Sequence, residues 1–209
     1  MKTNSIFVCS ECGYESPKPQ GRCVCGAWNS FYEQKIEKES KNKNTLHFNV
    51  KNNYPKSIDK IKSEKGERIF TGIKEFDNVI GGGIMGASCT LITGEPGIGK
   101  STLLLQVAIN LAKNNMNILY ISGEESLEQI KNRAERISEI LPEALYIFSE
   151  TSMEKIIEEV QKENYSLLII DSIQTMFTNK IDGNSGGISQ IREVATLFVS
   201  LAKIQKIPI

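Results

Sequence analysis

The chain has 209 residues, 40% of them hydrophobic and 24% charged, and its 25 basic side chains are matched by 25 acidic ones. Such a composition supports the core of one ordinary domain plus a small satellite and excludes wholesale disorder; the neutral balance excludes bulk charge as an argument for a nucleic-acid or membrane partner. The longest uninterrupted aliphatic run, residues 167–170, is far short of the ~20 residues of a bilayer span, and the start MKTNSIFVCSECG lacks the ~7–15-residue apolar stretch of a secretory signal, so a cytoplasmic setting with reduced cysteines is expected.

The first feature along the chain is a cysteine cluster. Four of the five cysteines, Cys9, Cys12, Cys23 and Cys25, are spaced C-x2-C-x10-C-x-C, and Gly13 and Gly26 follow the second cysteine of each pair. A zinc knuckle turns tightly after its second ligand, where a residue without Cβ adopts a positive φ, and four thiolates close a tetrahedral structural site. The metal would supply folding energy that about 30 residues cannot obtain from burial alone. Two disulfides are the alternative. Residues 1–34 are therefore expected to form a four-cysteine zinc module. Residues 35–65 carry nine lysines against four acids and several asparagines, with almost no periodic apolar positions, as a solvated linker does; the sole histidine, His47, is read as part of it.

From residue 66 onward, apolar runs of strand length alternate with segments of helical period. Strands are expected at residues 89–93, 118–122, 145–148 and 167–170, and helices at 100–113, 127–140 and 153–162. A further helical pattern (Ile188, Ile191, Ala195, Phe198, Ala202) leads into Ile207-Pro208-Ile209, read as the start of another strand. This alternation predicts an α/β domain: a parallel sheet with helices on both faces and ligands at the carboxyl ends of the strands. The lone Cys89 is expected to be a small buried core residue.

Residues Gly94-Glu95-Pro96-Gly97-Ile98-Gly99-Lys100-Ser101 match GxxxxGK[ST] between an apolar strand and an apolar helix, the context that a phosphate-binding loop requires. Its backbone N–H groups would wrap phosphate oxygens, with Thr102 continuing the contact set along the helix start. Lys100 would neutralise the β- and γ-phosphates, and the Ser101 hydroxyl would face Mg²⁺. The second magnesium partner should be a carboxylate ending another apolar strand, and Asp171 stands there; a helix cap is its alternative role. Glu124 and Glu125 follow the strand at 118–122, at the same edge of the sheet. Glu124 is taken as the group that orients the attacking water, against the alternative of an acid in the first turn of the next helix.

With these motifs in order, the chain resembles the RadA/Sms family, bacterial RecA-like ATPases of recombination and DNA repair. The resemblance rests on VCSECGYESPKPQGRC, CGAWNSFYE, ERIFTGIKEFDNVIGGGI, GEPGIGKSTLLLQVA, LYISGEES and LLIIDSIQTM, and it covers nearly everything but the linker. It implies a RecA-like P-loop NTPase core over residues 66–209 with ATP, Mg²⁺ and Zn²⁺ as cofactors. In the same terms Lys100 and Ser101 are nucleotide and magnesium residues, Asp171 the Walker B carboxylate, Glu124 the catalytic glutamate and the four cysteines zinc ligands. The implied activity is DNA-stimulated ATP hydrolysis by a hexameric ring that extends branch migration, with single-stranded and branched DNA and a RecA-type recombinase as partners. The loop at 174–189 matches the position of a DNA-facing loop in RecA-like proteins, with Lys180 and Arg192 as phosphate contacts.

Some positions depart from the family. Cys23-Val24-Cys25 replaces a second CxxC, Pro19 a tryptophan, and Gly86-Ala87 a Pro-Gly pair. The rest of the RecA-like core, a KNRFG motif and a Lon-protease-like domain do not occur in these 209 residues, so the ATPase part is expected to be C-terminally incomplete. Lys131-Asn132-Arg133 is read as a solvated helix face instead of that motif. Two other functional readings remain open. One is a zinc-bearing nucleic-acid- or protein-binding module joined to an ATP-binding half that does not hydrolyse. The other is a different RecA-like NTPase, such as a replicative helicase relative, which the cysteine module disfavours.

Overall fold

The computed structural model of the chain describes residues 5–35, 55–60 and 68–209. The expected linker lies outside the described residues apart from Lys35 and residues 55–60, and His47 lies outside them as well.

The N-terminal unit is a three-stranded antiparallel sheet. Strand β1 (Ser5–Cys9) runs between β2 (Glu15–Ser16) and β3 (Phe31–Lys35), with Phe7 opposite both Ser16 and Glu33. Its apolar contribution is small, Val8, Cys9 and Cys23 being its buried hydrophobic residues among those described, so their burial alone gives this unit little to fold on.

The second unit begins with α1 (Lys74–Val79), a short helix that starts inside the TGIKEFD stretch. Asp77 is buried there and accepts from both the backbone N–H and the hydroxyl of Thr71, at 2.9 and 2.8 Å. These two bonds close the turn ahead of the helix. Gly83 follows at φ +102, where a Cβ would meet the Ile69 carbonyl at 2.8 Å, so the glycine run lets two backbone segments approach.

The α/β core comprises α2 (Lys100–Lys113), β4 (Ile118–Ser122), α3 (Leu127–Ile137), β5 (Leu145–Ser149), α4 (Met153–Lys162), β6 (Leu167–Asp171) and α5 (Ile188–Gln205). The strands are parallel in the order β5-β4-β6. Side chains alternate across the sheet. Ile118 and Tyr120 of β4, with Leu167 and Ile169 of β6, pack on Leu105 and Ile109 of α2 and Ile130 of α3. Leu119, Ile121 and Leu168 point the other way, onto Ile156 of α4 and Val194 and Leu201 of α5. This period-2 partition gives the expected three layers, with helices on both faces of a parallel sheet.

Four expectations need correction. The helix expected to reach residue 140 stops at Ile137, and Ser138 is extended, its hydroxyl donating to the Ile140 carbonyl at 2.7 Å. Pro142 lies just beyond and disfavours helical backbone in the residue before it. Residues 89–93 do not form a regular strand. The segment is tied instead to the 207–209 stretch, the Thr90 N–H donating to the Ile209 carbonyl (2.8 Å) and the Ile209 N–H to that of Ser88 (2.9 Å). The Leu168 N–H also donates to Pro208 (3.1 Å), so residues 207–209 lie between β6 and the segment leading to the glycine loop. Cys89 is exposed, not buried, because two hydrogen bonds from one neighbouring residue do not cover that segment. Arg133, finally, does not belong to a solvated face: its side chain is only 13% exposed.

Candidate functional site

The β4 and β6 register sets the geometry. Ser122 is level with Asp171, so the residues after β4 and the end of β6 emerge together at the carboxyl edge of the sheet. The glycine loop arrives at the same edge and opens α2 from Gly99, at φ +100, with no side-chain cap on the helix. Gly97 is also at positive φ (79°). The backbone turns of the loop therefore need the glycines that the motif supplies.

Lys100 is partly buried, and its ammonium donates to the carbonyls of Gly94 and Glu95, both at 2.8 Å. It is thereby held inside the curve formed by Gly94, Glu95, Pro96, Gly97 and Ile98. The Ser101 hydroxyl donates to Oδ1 of Asp171 at 2.9 Å, joining residues seventy positions apart. Asp171 does not cap a helix: the short 3-10 turn at Ile173–Thr175 has no side-chain cap. Thr102 is exposed on the first turn of α2.

Glu124 precedes the helix instead of lying in its first turn. α3 starts at Leu127 under a capping box formed by Ser126 and Gln129, and the first-turn acid is Glu128. Glu124 is exposed, and its Oε1 accepts from the Ser172 hydroxyl at 2.8 Å. Glu125 turns the other way, to Arg133, with Nη2 2.9 Å from Oε2 and Nη1 3.1 Å from Oε1. The turn that separates the two acids is tightly packed. A Cβ on Gly123 would collide with the Thr175 side chain and would lie 2.7 Å from Cγ2 of Thr151.

Two residues at this edge escaped the sequence reading. The Tyr120 hydroxyl donates to Oδ2 of Asp171 at 2.5 Å and accepts from Nη2 of Arg133 at 3.1 Å. Burial, reinforced by the bond to Asp171, raises the Tyr120 phenol well above its ordinary range and keeps it a donor. Tyr120 looks like a strand core residue in sequence, and Arg133 like one more cation on a charged helix. Only the 3.6-residue phase of Arg133 with Ile130 and Ala134, which face the core, hinted at its direction.

The loop after β6 is anchored at its root. Buried Gln190 accepts from the Thr178 N–H (3.0 Å) and donates to the carbonyls of Thr178 (3.1 Å) and Ile181 (3.0 Å). Lys180 and Arg192 are both exposed.

The four cysteines form a second site. Their sulfur atoms all lie within 4.8 Å of one another, with Cys9 and Cys25 at 3.8 Å and Cys12 and Cys23 at 3.4 Å. Zn–S bonds of about 2.3 Å place tetrahedral sulfurs roughly 3.8 Å apart, so the donor set fits zinc. These separations also exceed any S–S bond. Gly13 and Gly26 are at φ 71° and 95°, and their N–H groups donate to the carbonyls of Cys9 and Cys23, both at 2.9 Å. The shortened Cys23-Val24-Cys25 pair thus still turns and brings both sulfurs inward. Burial opposes charge on Cys9, but the Ser30 hydroxyl and the peptide groups of Glu11 and Cys12 outweigh it and lower the thiol to about 6. Cys12 accepts from the peptide of Tyr14, yet burial and the surrounding cysteines push it up to about 12. One thiolate discourages the next, and a divalent cation removes that conflict.

Known proteins share both units. A KaiC ATPase family model matches residues 69–142, and a rubredoxin metal binding domain model matches residues 7–33. Over 211 residues the chain is 44% identical to the DNA repair protein RadA of Bacillus subtilis, covering all of this chain and 46% of that protein. It is 42% identical to the protein of the same name from Campylobacter jejuni, covering 99% of this chain and 46% of the relative. A Streptococcus pyogenes counterpart is 45% identical, with 99% and 45% covered. The chain thus spans about half the length of the curated relatives it matches. No helix among the described residues is long and apolar enough to cross a membrane.

Proposed function

Because the chain belongs to the RadA family, we propose that it is the ATP-binding part of a DNA-dependent ATPase that processes recombination intermediates in DNA repair. The observation that carries this reading is the 2.9 Å bond between Ser101 and Asp171, which joins the phosphate loop to the Walker B carboxylate. In P-loop NTPases that pair holds magnesium on the β- and γ-phosphates.

The glycine loop and the start of α2 bind the phosphates through backbone N–H groups, and the Lys100 ammonium moves from the Gly94 and Glu95 carbonyls to the phosphate oxygens. Magnesium bound there would offset developing negative charge on the transferred phosphoryl group. Exposed Glu124 orients the attacking water and accepts its proton, a part that does not suit Glu125, whose Oε1 accepts from Arg133 and whose Oε2 lies 2.9 Å from the same guanidinium. Cys9, Cys12, Cys23 and Cys25 would hold a zinc ion whose part is structural, supplying folding energy to the small N-terminal unit. Lys180, in the loop that Gln190 anchors, and Arg192, near the start of α5, contact DNA phosphates. Assembly into a hexameric ring and cooperation with a RecA-type recombinase complete the reading, since rings of this kind draw catalytic cations from a neighbouring subunit.

Calorimetric titration with ATP, with and without Mg²⁺, together with turnover measured with and without single-stranded DNA, tests this function. Magnesium-dependent binding and turnover raised by DNA are expected. A chain that binds no nucleotide overturns the reading.

A further inference from the structure

Asp171 has two oxygens in unlike surroundings. Oδ1 faces the Ser101 hydroxyl at 2.9 Å, whereas Oδ2 faces the protein interior, with the Tyr120 hydroxyl at 2.5 Å and Nη2 of Arg133 at 3.7 Å. The side chains of Asp171 and Arg133 are only 16% and 13% exposed, so these contacts are shielded from bulk water.

We propose that Tyr120 and Arg133 are positioning residues that lock the Asp171 carboxylate, leaving Oδ1 and the Ser101 hydroxyl turned toward a nucleotide-bound divalent cation. A carboxylate held by one hydroxyl can rotate about its last bond and present either oxygen. Donation to Oδ2 from β4, the neighbouring strand, removes that freedom. Tyr120 is suited to the task because a neutral phenol directs the carboxylate without cancelling its charge. Arg133 could cancel that charge, but Glu125 takes its closer contact, 2.9 Å against 3.7 Å. The guanidinium therefore aligns Tyr120 through its 3.1 Å bond while its own charge is answered elsewhere. The chain Glu125–Arg133–Tyr120–Asp171 thus runs from the acid that chemistry does not use to the one that meets the metal. Groups that orient metal ligands in this way typically change metal affinity about 10–100-fold when removed.

The inference rests on the nucleotide and magnesium reading of this edge, and its test separates the two. Tyr120→Phe keeps the buried ring and removes only the hydroxyl; Arg133→Lys keeps the charge and loses the two-pronged geometry. Free Mn²⁺ is followed by electron paramagnetic resonance during titration of the chain with ADP present, and ADP binding is measured separately in EDTA. About tenfold weaker Mn²⁺ binding is expected in Tyr120→Phe, with a smaller loss in Arg133→Lys and ADP affinity in EDTA unchanged in both. Mn²⁺ affinity within twofold of the parent in both variants overturns the proposal while leaving the nucleotide reading intact. A parent chain that holds no ADP overturns the nucleotide reading and this proposal together.

Discussion

The Ser172 hydroxyl donates a 2.8 Å hydrogen bond to Oε1 of Glu124, tying the residue after Asp171 to the acid beyond β4. Glu125, its neighbour, is bound to Arg133 instead. The two adjacent acids thus have different partners, and the proposed function gives them different tasks. Glu124→Gln should lower single-turnover ATP hydrolysis by about 10²–10⁴-fold while ATP affinity stays unchanged. Glu125→Gln should act mainly on thermal stability, because it leaves part of the Arg133 charge without a partner. The two variants are compared by rapid-quench turnover, calorimetry and thermal melting; equal losses of turnover would remove the distinction between the acids.

Lys100 donates to two loop carbonyls and so shapes the loop, and the proposed function also makes it the phosphate countercharge. Lys100→Ala removes both contributions. Nucleotide binding should fall below detection in calorimetry, with the melting temperature of the nucleotide-free chain little changed because the loop is exposed. Unchanged affinity would contradict the assignment of the loop.

The framework of the site was readable from residue spacing because each part has a local cause. Glycine placement marks the loop, and the aliphatic run of β6 marks the strand that carries Asp171. Tyr120 and Arg133 were not readable, since their roles depend on register between β4 and β6 and on the phase of α3, which no short motif encodes. Cys89 was misjudged for a related reason. Its apolar run satisfies the pattern of a core strand, but burial depends on what lies alongside, and only Ile209 pairs with that segment among the described residues. The cysteine site was the most legible, because a shared metal needs only four sulfurs and two tight turns.

Ala87 stands at φ 55°, in the left-handed region, where the family resemblance leads one to expect the glycine of a Pro-Gly pair. An L-residue with a Cβ is disfavoured there by roughly 1–2 kcal/mol. Glycine relieves that conflict but adds freedom to the unfolded chain, which returns about 0.4–1 kcal/mol. Ala87→Gly should therefore stabilise the ATPase unit by about 0.5–1 kcal/mol and raise its melting temperature by a few degrees. A lower melting temperature would show that this turn does not persist in solution.

Metal content and thiol chemistry together test the cysteine site against the disulfide alternative. Elemental analysis should find about one zinc per chain. Thiolates bound to zinc react slowly with Ellman's reagent, whereas Cys89 is exposed and free. The native chain should release one equivalent of chromophore promptly and reach all five thiols only after chelation. Two disulfides would leave one reactive thiol with or without chelator, so the five-thiol endpoint is decisive. Removing the metal should also unfold the N-terminal unit, because its buried hydrophobic residues among those described, Val8, Cys9 and Cys23, include two of the proposed ligands. Cys25→Ser tests the shortened pair directly. Its sulfur lies 3.8 Å from that of Cys9, so the fourth ligand is already in place despite the missing spacer residue, and its loss should release the zinc. Retention of a full equivalent in that variant would show that the site closes with a ligand other than Cys25.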